Sequence, residues 1–326
     1  MKRIASILFA GALALQCCGQ TADGAAQASQ AAEADNASVV YMTQDISPEA
    51  IIKLYKALGR EAKGKVAIKI STGEPGGHNF LNPALIKDFV DLTGGTIVEC
   101  NTAYKGKRYS TADHRKAAED HGFTAIANVD IMDADGDVKL PLKGGKHLKY
   151  DIVGKTYPDY DFTVILSHFK GHAMGGFGGA VKNMSIGIGS SAGKSYIHSA
   201  GKIEDPEVLW TNLAEQDDFL ESMAEAAKAV ADHCGYNIIY ISVANNLSVD
   251  CDCSSHPEAP QMRDIGIFAS LDPIALDQAC TDYVRNSDDP GKVHLIERID
   301  SRHGMHTLEY GEQIGLGSRK YKIVNL

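Results

Sequence analysis

Read for periodicity alone, the chain alternates short β-branched runs with segments of helical spacing. Val66 to Ile70, Thr96 to Glu99, Asp161 to Ser167, Tyr236 to Val243 and Asp264 to Ala269 are apolar stretches of strand length, the pattern of strands buried on both faces. Between them, Pro83 to Leu92 carries proline at its first turn, and the polar helix Thr111 to His121 stops at Gly122. Asp205 to Cys234 is the longest helical stretch, with Leu213, Phe219, Leu220, Met223, Ala227 and Val230 at helical spacing. Asp272-Pro273 opens a helix through Val284, and the tail predicts a helix around Leu308 and a last strand from Tyr321 to Val324. Strands alternating with helices predict an α/β fold, a mostly parallel sheet with helices on both faces.

The N-terminus departs from this pattern. Lys2 and Arg3 precede the apolar run Ile4 to Leu15, which ends at Gln16-Cys17-Cys18-Gly19. A basic start and an apolar run of this length predict an export signal rather than a membrane span. Cysteine at the processing point is similar to a bacterial lipobox, with cleavage at Cys17 or Cys18; a plain secretory signal is the alternative. Residues 1–18 are thus expected to be signal, 19–38 a small polar tether, and 39–326 the folded part, in one domain or two closely packed lobes. The expected location is the bacterial cell envelope, with the membrane touched only through a lipid anchor.

The chemistry concentrates in Ser167 to His198, directly after a predicted strand, where ligands of open α/β sheets bind. Eight glycines fall between His168 and Lys194, among them Gly178 and Gly179, and they leave bare backbone N–H groups near any ligand. His168, Lys170, His172, Lys182, Lys194 and His198 stand among them. Gly189 to Ser195 has three residues between its glycines where a P-loop needs four, which argues against a nucleotide site.

GGAVKN at 178–183, VDCDCSSHPEAP at 249–260, DIGIFASLDPIALDQAC at 264–280 and HTLEYGEQIGLGSRKYKI at 306–323 resemble the bacterial family called domain of unknown function 362 (DUF362), over most of Val66 to Leu326. Many relatives carry a ferredoxin-like insert after the long helix. Here no C-x2-C-x2-C run follows Cys234, so no iron–sulfur cluster is expected. The chain is also distantly similar to the nickel-pincer lactate racemases, in which a His, Lys, His series lies in a glycine-rich stretch. That resemblance implies a racemase-like scaffold and maps the series onto His172, Lys182 and His198: a lysine bonded to the cofactor, one histidine on nickel and one acid/base. The racemase pattern has a further histidine before an arginine; Lys107 stands there, before Arg108, which argues against two-faced proton transfer.

Outside that stretch, Asp250-Cys251-Asp252-Cys253 with His256 offers soft and hard donors, but C-x-C is tighter than the usual zinc spacing. Cys251 and Cys253 are candidate metal ligands beside His168, His172 and His198; disulfides to Cys234 or Cys280 are the alternative in an oxidising compartment. Asp133 to Asp137 lacks the glycine and glutamate of a calcium loop and predicts a hairpin turn. Glu99, Asn101, Tyr104 and Arg108 follow a strand end, where Arg108 would fork onto a carboxylate, and Lys69 ends another. With Lys182 and Asn183, both are candidate cofactor or substrate contacts. His114 and His121 are expected on a helix surface.

Composition narrows the function. A net charge of −10 and a single tryptophan among 326 residues exclude a basic nucleic-acid face or an aromatic platform for single strands. Two classes remain. One is an enzyme with a metal or metal–organic cofactor acting on a small carboxylate-bearing substrate, in which His172, Lys182 and His198 are catalytic. The other is an envelope protein that binds a metal ion or small anion without turnover.

Overall fold

A computed structural model describes residues 37–326; the expected signal and nearly all of the tether lie outside the described residues. The described strands are β1 (Ser38–Thr43), β2 (Val66–Lys69), β3 (Thr96–Glu99), β4 (Val129–Ile131), β5 (Asp137–Pro141), β6 (Tyr150–Gly154), β7 (Phe162–His168), β8 (Lys170–His172), β9 (Gly176–Gly178), β10 (Ile238–Ala244), β11 (Gly266–Ser270) and β12 (Tyr321–Asn325). The helices are α1 (Pro48–Ala57), α2 (Pro83–Thr93), α3 (Thr111–Asp120), α4 (Ala180–Ser185), α5 (Ser191–His198), α6 (Gln216–Cys234), α7 (Pro273–Asn286), α8 (Lys292–Ser301) and α9 (His306–Gln313).

Eight strands form one sheet in the order β12-β1-β11-β10-β7-β2-β3-β4, and only β11 runs antiparallel to its neighbours. The expected mostly parallel sheet is therefore present. Alternate residues of β7 and β10 feed two cores, as the two-residue period requires. Val164, Leu166, Ile239 and Ile241 pack under α1 and α2, whereas Ile165, Ile238 and Tyr240 meet α4, α6 and α7 on the other face. From β2 the chain steps to β3 and β4 on one side, then returns to lay β7 and β10 on the other. That reversal opens a crevice beyond the C-terminal ends of β2 and β7.

Two expectations need correction. The long helix starts at Gln216, and Leu213 lies exposed in the preceding segment, which holds only the 3-10 turn Leu209–Thr211. There the Thr211 hydroxyl and Asn212 amide both donate to the Val208 carbonyl, a local pairing that competes with helix. Asp135-Gly136 does turn, with Gly136 at φ +112°, but it joins β4 to β5, whose hairpin partner is β6.

Helix α4 is set by a carboxylate from far along the chain. Asp277 of α7 accepts the N–H groups of Ala180 (2.7 Å) and Val181 (2.9 Å), satisfying donors that a helix start leaves free. A Cβ on Gly179 would stand 2.3 Å from Asp277 Oδ1, so close approach rather than an unusual φ requires glycine there. Gly179→Ala is expected to lower stability by about 1–3 kcal/mol, the usual cost of overpacking, seen as a lower urea midpoint at unchanged slope. Gly178→Ala, whose methyl would meet only the Lys170 and Lys182 stems at 3.5 and 3.6 Å, is expected to leave the midpoint nearly unchanged.

Candidate functional site

The crevice at the strand reversal deepens into a cleft of about 1070 Å³, counting its mouth. Asn183 forms its base. Its Nδ2 donates to Lys69 O (3.1 Å), Leu166 O (3.2 Å) and Ser167 Oγ (3.1 Å), and its Oδ1 accepts from Lys69 Nζ at 3.2 Å. One amide thus ties the diverging ends of β2 and β7 and turns the preceding residue, Lys182, along the cleft wall.

A buried ionic network forms one side. Lys69 Nζ pairs with Glu99 Oε2 at 2.8 Å and also donates to Ile70 O. Glu99 Oε1 accepts from the Thr72 N–H (2.7 Å) and faces Arg108 at 3.5 Å. Arg108 Nε in turn bonds Glu74 at 3.0 Å, and its NH2 bonds Tyr104 at 3.1 Å. Burial works against the Glu99 charge, but Lys69, His114 and Arg108 outweigh it and hold this carboxyl down at about 2. Lys69 and Arg108, expected to contact ligand, do line the cleft, yet protein partners engage their donors. His114, expected on the surface, is fully buried, with Nδ1 3.2 Å from Asn101; burial drives it down to about 3. His121 bonds Thr72 O at 2.7 Å and stacks on Phe80.

The glycine-rich segment supplies the opposite side: the β8–β9 hairpin, α4, and α5, whose N-cap Ser190 accepts from Gly193 N–H. His172, Lys182 and His198 all line the one cleft, though 26 positions separate the first and last. The two histidines are fixed in opposite tautomers. His172 Nδ1 accepts N–H groups from Gly175 (2.8 Å) and Met174 (3.3 Å), so the neutral ring carries its proton on Nε2. His198 Nδ1 lies 2.6 Å from the Lys194 carbonyl and must donate, leaving a lone pair on Nε2. Burial, reinforced by Lys182, keeps His172 well below its ordinary value; burial puts His198 at about 4.

Lys182 Nζ donates to Cys251 Sγ at 3.4 Å. The Cys253 thiol and Lys182 both favour the Cys251 thiolate, which lies well below the ordinary thiol range. That thiolate outweighs burial and raises Lys182. Cys251, Cys253 and His172 offer ligand atoms within 4.8 Å of one another, a soft donor set suited to a divalent transition ion. All described cysteines, including Cys234 and Cys280, are free thiols. His168, also expected to bind metal, has both ring nitrogens on acceptors, Asp252 (2.8 Å) and Asn245 O (2.6 Å), so neither lone pair is open. Asp252 holds Lys170 as well, at 2.7 Å.

Sequence reasoning missed the positioning carboxylates Asp277 and Glu74 and read Asp252 as a hard metal donor, where it holds His168 and Lys170; all three lie in other segments from the side chains they orient. Lys194 was visible only as a member of the stretch. Its buried ammonium meets the carbonyls of Gly189 (2.6 Å) and Cys100 (3.4 Å), and no carboxylate among the described residues pairs with it.

The Glu99 network predicts an acid sensitivity. An unfolded glutamate titrates near ~4.3, above the folded value of about 2, so the carboxylate stabilises the fold fully above about pH 5. That contribution is lost as pH falls through 4 toward 2. Urea unfolding from about pH 6 to pH 2.5 should show a steep acid limb that flattens in Glu99→Gln, itself less stable at neutral pH; parallel limbs would refute the assignment.

The model of the family described as domain of unknown function DUF362 matches residues 66–282. Among solved structures, the chain is similar to the lactate racemase apoprotein from Thermoanaerobacterium thermosaccharolyticum, at 17% identity and TM-score 0.44, over 75% of this chain and 56% of that one. It is similar also to a structural-genomics protein from Thermotoga maritima, at 11% identity and TM-score 0.42, over 73% of this chain and 58% of that one. The chain thus spans little more than half the length of either. No curated protein matches it in sequence.

Proposed function

The chain belongs to the DUF362 family, and we propose that its cleft binds a small carboxylate-bearing molecule and moves a proton on it. The Lys194 ammonium carries this reading: it is buried, faces the cleft, and meets only carbonyl oxygens. A buried cation with no carboxylate in contact is costly, and a ligand carboxylate supplies that partner. His198, with a lone pair on Nε2, is the base, and His172 offers its neutral Nε2–H as a hydrogen-bond donor to the charge that develops; neither Nε2 has a protein partner among the described hydrogen bonds. Both rings are neutral at pH 7, so His198 is free to take a proton while His172 acts as a neutral hydrogen-bond donor.

His172, Cys251 and Cys253 fit a thiophilic divalent ion, zinc or nickel, which when bound would supply Lewis acidity in the cleft. A metal held by His172 and Cys251 would compete with the Lys182 ammonium for the Cys251 thiolate, and Lys182 would then be available as an anchor for an organic cofactor. The same donor set favours a second reading, a metal-binding protein without turnover, since three soft ligands hold an ion without any substrate.

Small carboxylates such as acetate are expected to raise the melting temperature, and Lys194→Met to abolish that shift. His172→Ala and His198→Ala are expected to keep binding but stop deuterium uptake from solvent at the carbon beside the ligand carboxylate. Metal bound at one equivalent and lost in Cys251→Ser, without any such exchange in the metal-loaded wild type, would decide for the second reading.

Export is part of the proposal, supported by Lys2, Arg3, the apolar run and Cys17-Cys18. Mass spectrometry of protein from its native host is expected to find an acylated N-terminus at Cys17 or Cys18. An intact Met1 would refute export, and an unmodified later start would mean secretion without an anchor.

A further inference from the structure

Resting on the carboxylate reading of the cleft, we infer that the ligand carries an apolar tail, aliphatic or aryl, and that Trp210 is the residue that selects for it. The cleft combines two kinds of lining: the cations Lys182 and Lys194, and the apolar side chains of Ala103, Met174, Ile186, Leu209 and Trp210. Leu209 and Trp210 belong to the segment between α5 and α6, a strap along the cleft that is tied down at both ends. At one end Glu207 is held by Lys105 (2.7 Å) and Tyr109 (2.6 Å), from the loop that also carries Arg108. At the other, the Ala214 N–H bonds the carbonyl of His198 at 3.0 Å. The strap therefore spans from the ionic side of the cleft to the proposed base.

Along this strap Leu209 is buried, at 1% exposure, but Trp210 stays half exposed at 50% although it lines the cleft. Val208 and Leu213, on the same strap, are 43% and 42% exposed. A large apolar side chain left half in water on the wall of a cleft that also holds a buried cation matches an amphipathic ligand. Its carboxylate reaches Lys194, and its tail lies against Trp210 and Met174 and removes their apolar surface from water. A polar ligand the size of acetate would leave that surface wet.

The protein reports on this directly, because Trp210 is its only tryptophan. Tryptophan fluorescence of the full chain is titrated with butyrate, hexanoate and phenylacetate, with acetate as competitor, and calorimetry covers Trp210→Ala. Affinity is expected to rise about threefold per added methylene from acetate to hexanoate, near the worth of a buried CH₂. Phenylacetate and hexanoate are expected to shift the Trp210 emission, and Trp210→Ala to flatten the chain-length series while retaining acetate. If acetate and hexanoate bind equally well, or Trp210→Ala keeps the series intact, the tail is refuted while the carboxylate reading stands. If none of these carboxylates binds and Lys194→Met changes nothing, the carboxylate reading itself falls, and the tail with it.

Discussion

The Asn183 amide is the interaction on which the site depends. A parallel sheet that reverses its strand order must splay two neighbouring strand ends, and splayed ends leave backbone carbonyls without ladder partners. Here those carbonyls are Lys69 O and Leu166 O, and the Asn183 amide takes both while accepting from Lys69 Nζ. Leaving such buried groups unpaired costs about 1–3 kcal/mol each, so the amide stabilises the crevice as well as shaping it. Consecutive residues on a helix point about 100° apart, as 3.6 residues per turn requires. Fixing Asn183 on the β2 and β7 ends therefore directs Lys182 to Cys251. Asp277 holds the start of the same helix, and α4 is pinned at both ends of its first turn.

Around that pivot the buried charges divide into two kinds. Glu99, Glu74 and Asp252 hold Lys69, Arg108, Lys170 and His168 in closed networks, each charge with an opposite partner. Networks of this kind contribute little net stability but fix geometry, because losing one member leaves an uncompensated buried ion. Lys182, whose counter-charge is the Cys251 thiolate, and Lys194 are the second kind. The first faces a sulfur and the second faces carbonyls, partners that a ligand can replace or supplement. Closed networks make walls, and open cations make a binding surface.

How much was legible in the sequence follows from the range of each interaction. Strands buried on both faces, such as β7 and β10, write continuous apolar runs and were found within two residues. The α7 start was readable because Asp272 caps it locally, accepting from Ile274 and Ala275. The glycine-rich stretch announced the cleft, since four glycines in five positions have no use in a packed helix. Elements governed by distant partners were not legible. Nothing near His114 says that Glu99 and Asn101 enclose it, and nothing near Gly179 names Asp277, 98 positions away. The helix expected from Asp205 failed for a local reason: Thr211 and Asn212 turn the backbone before Gln216 can begin.

The same division accounts for the arginine. Read along the sequence, Arg108 beside Lys107 looked like the fork for a ligand carboxylate. In the fold, the Lys107 side chain is exposed while its N–H donates to Glu74 at 2.6 Å, and Arg108 is buried between Glu74 and Glu99. A guanidinium already facing two carboxylates gains little from a third, which would add like-charge repulsion within the same network. Lys107, outside the cleft, supplies no proton donor or acceptor to it. On the proposed carboxylate reading, the ligand charge falls to Lys194, one helical turn before His198. Anion recognition and the proposed base then share one short helix, α5. Its first turn is capped by Ser190 and its Lys194 carbonyl fixes the His198 tautomer, so a single backbone segment sets both the ammonium and the lone pair.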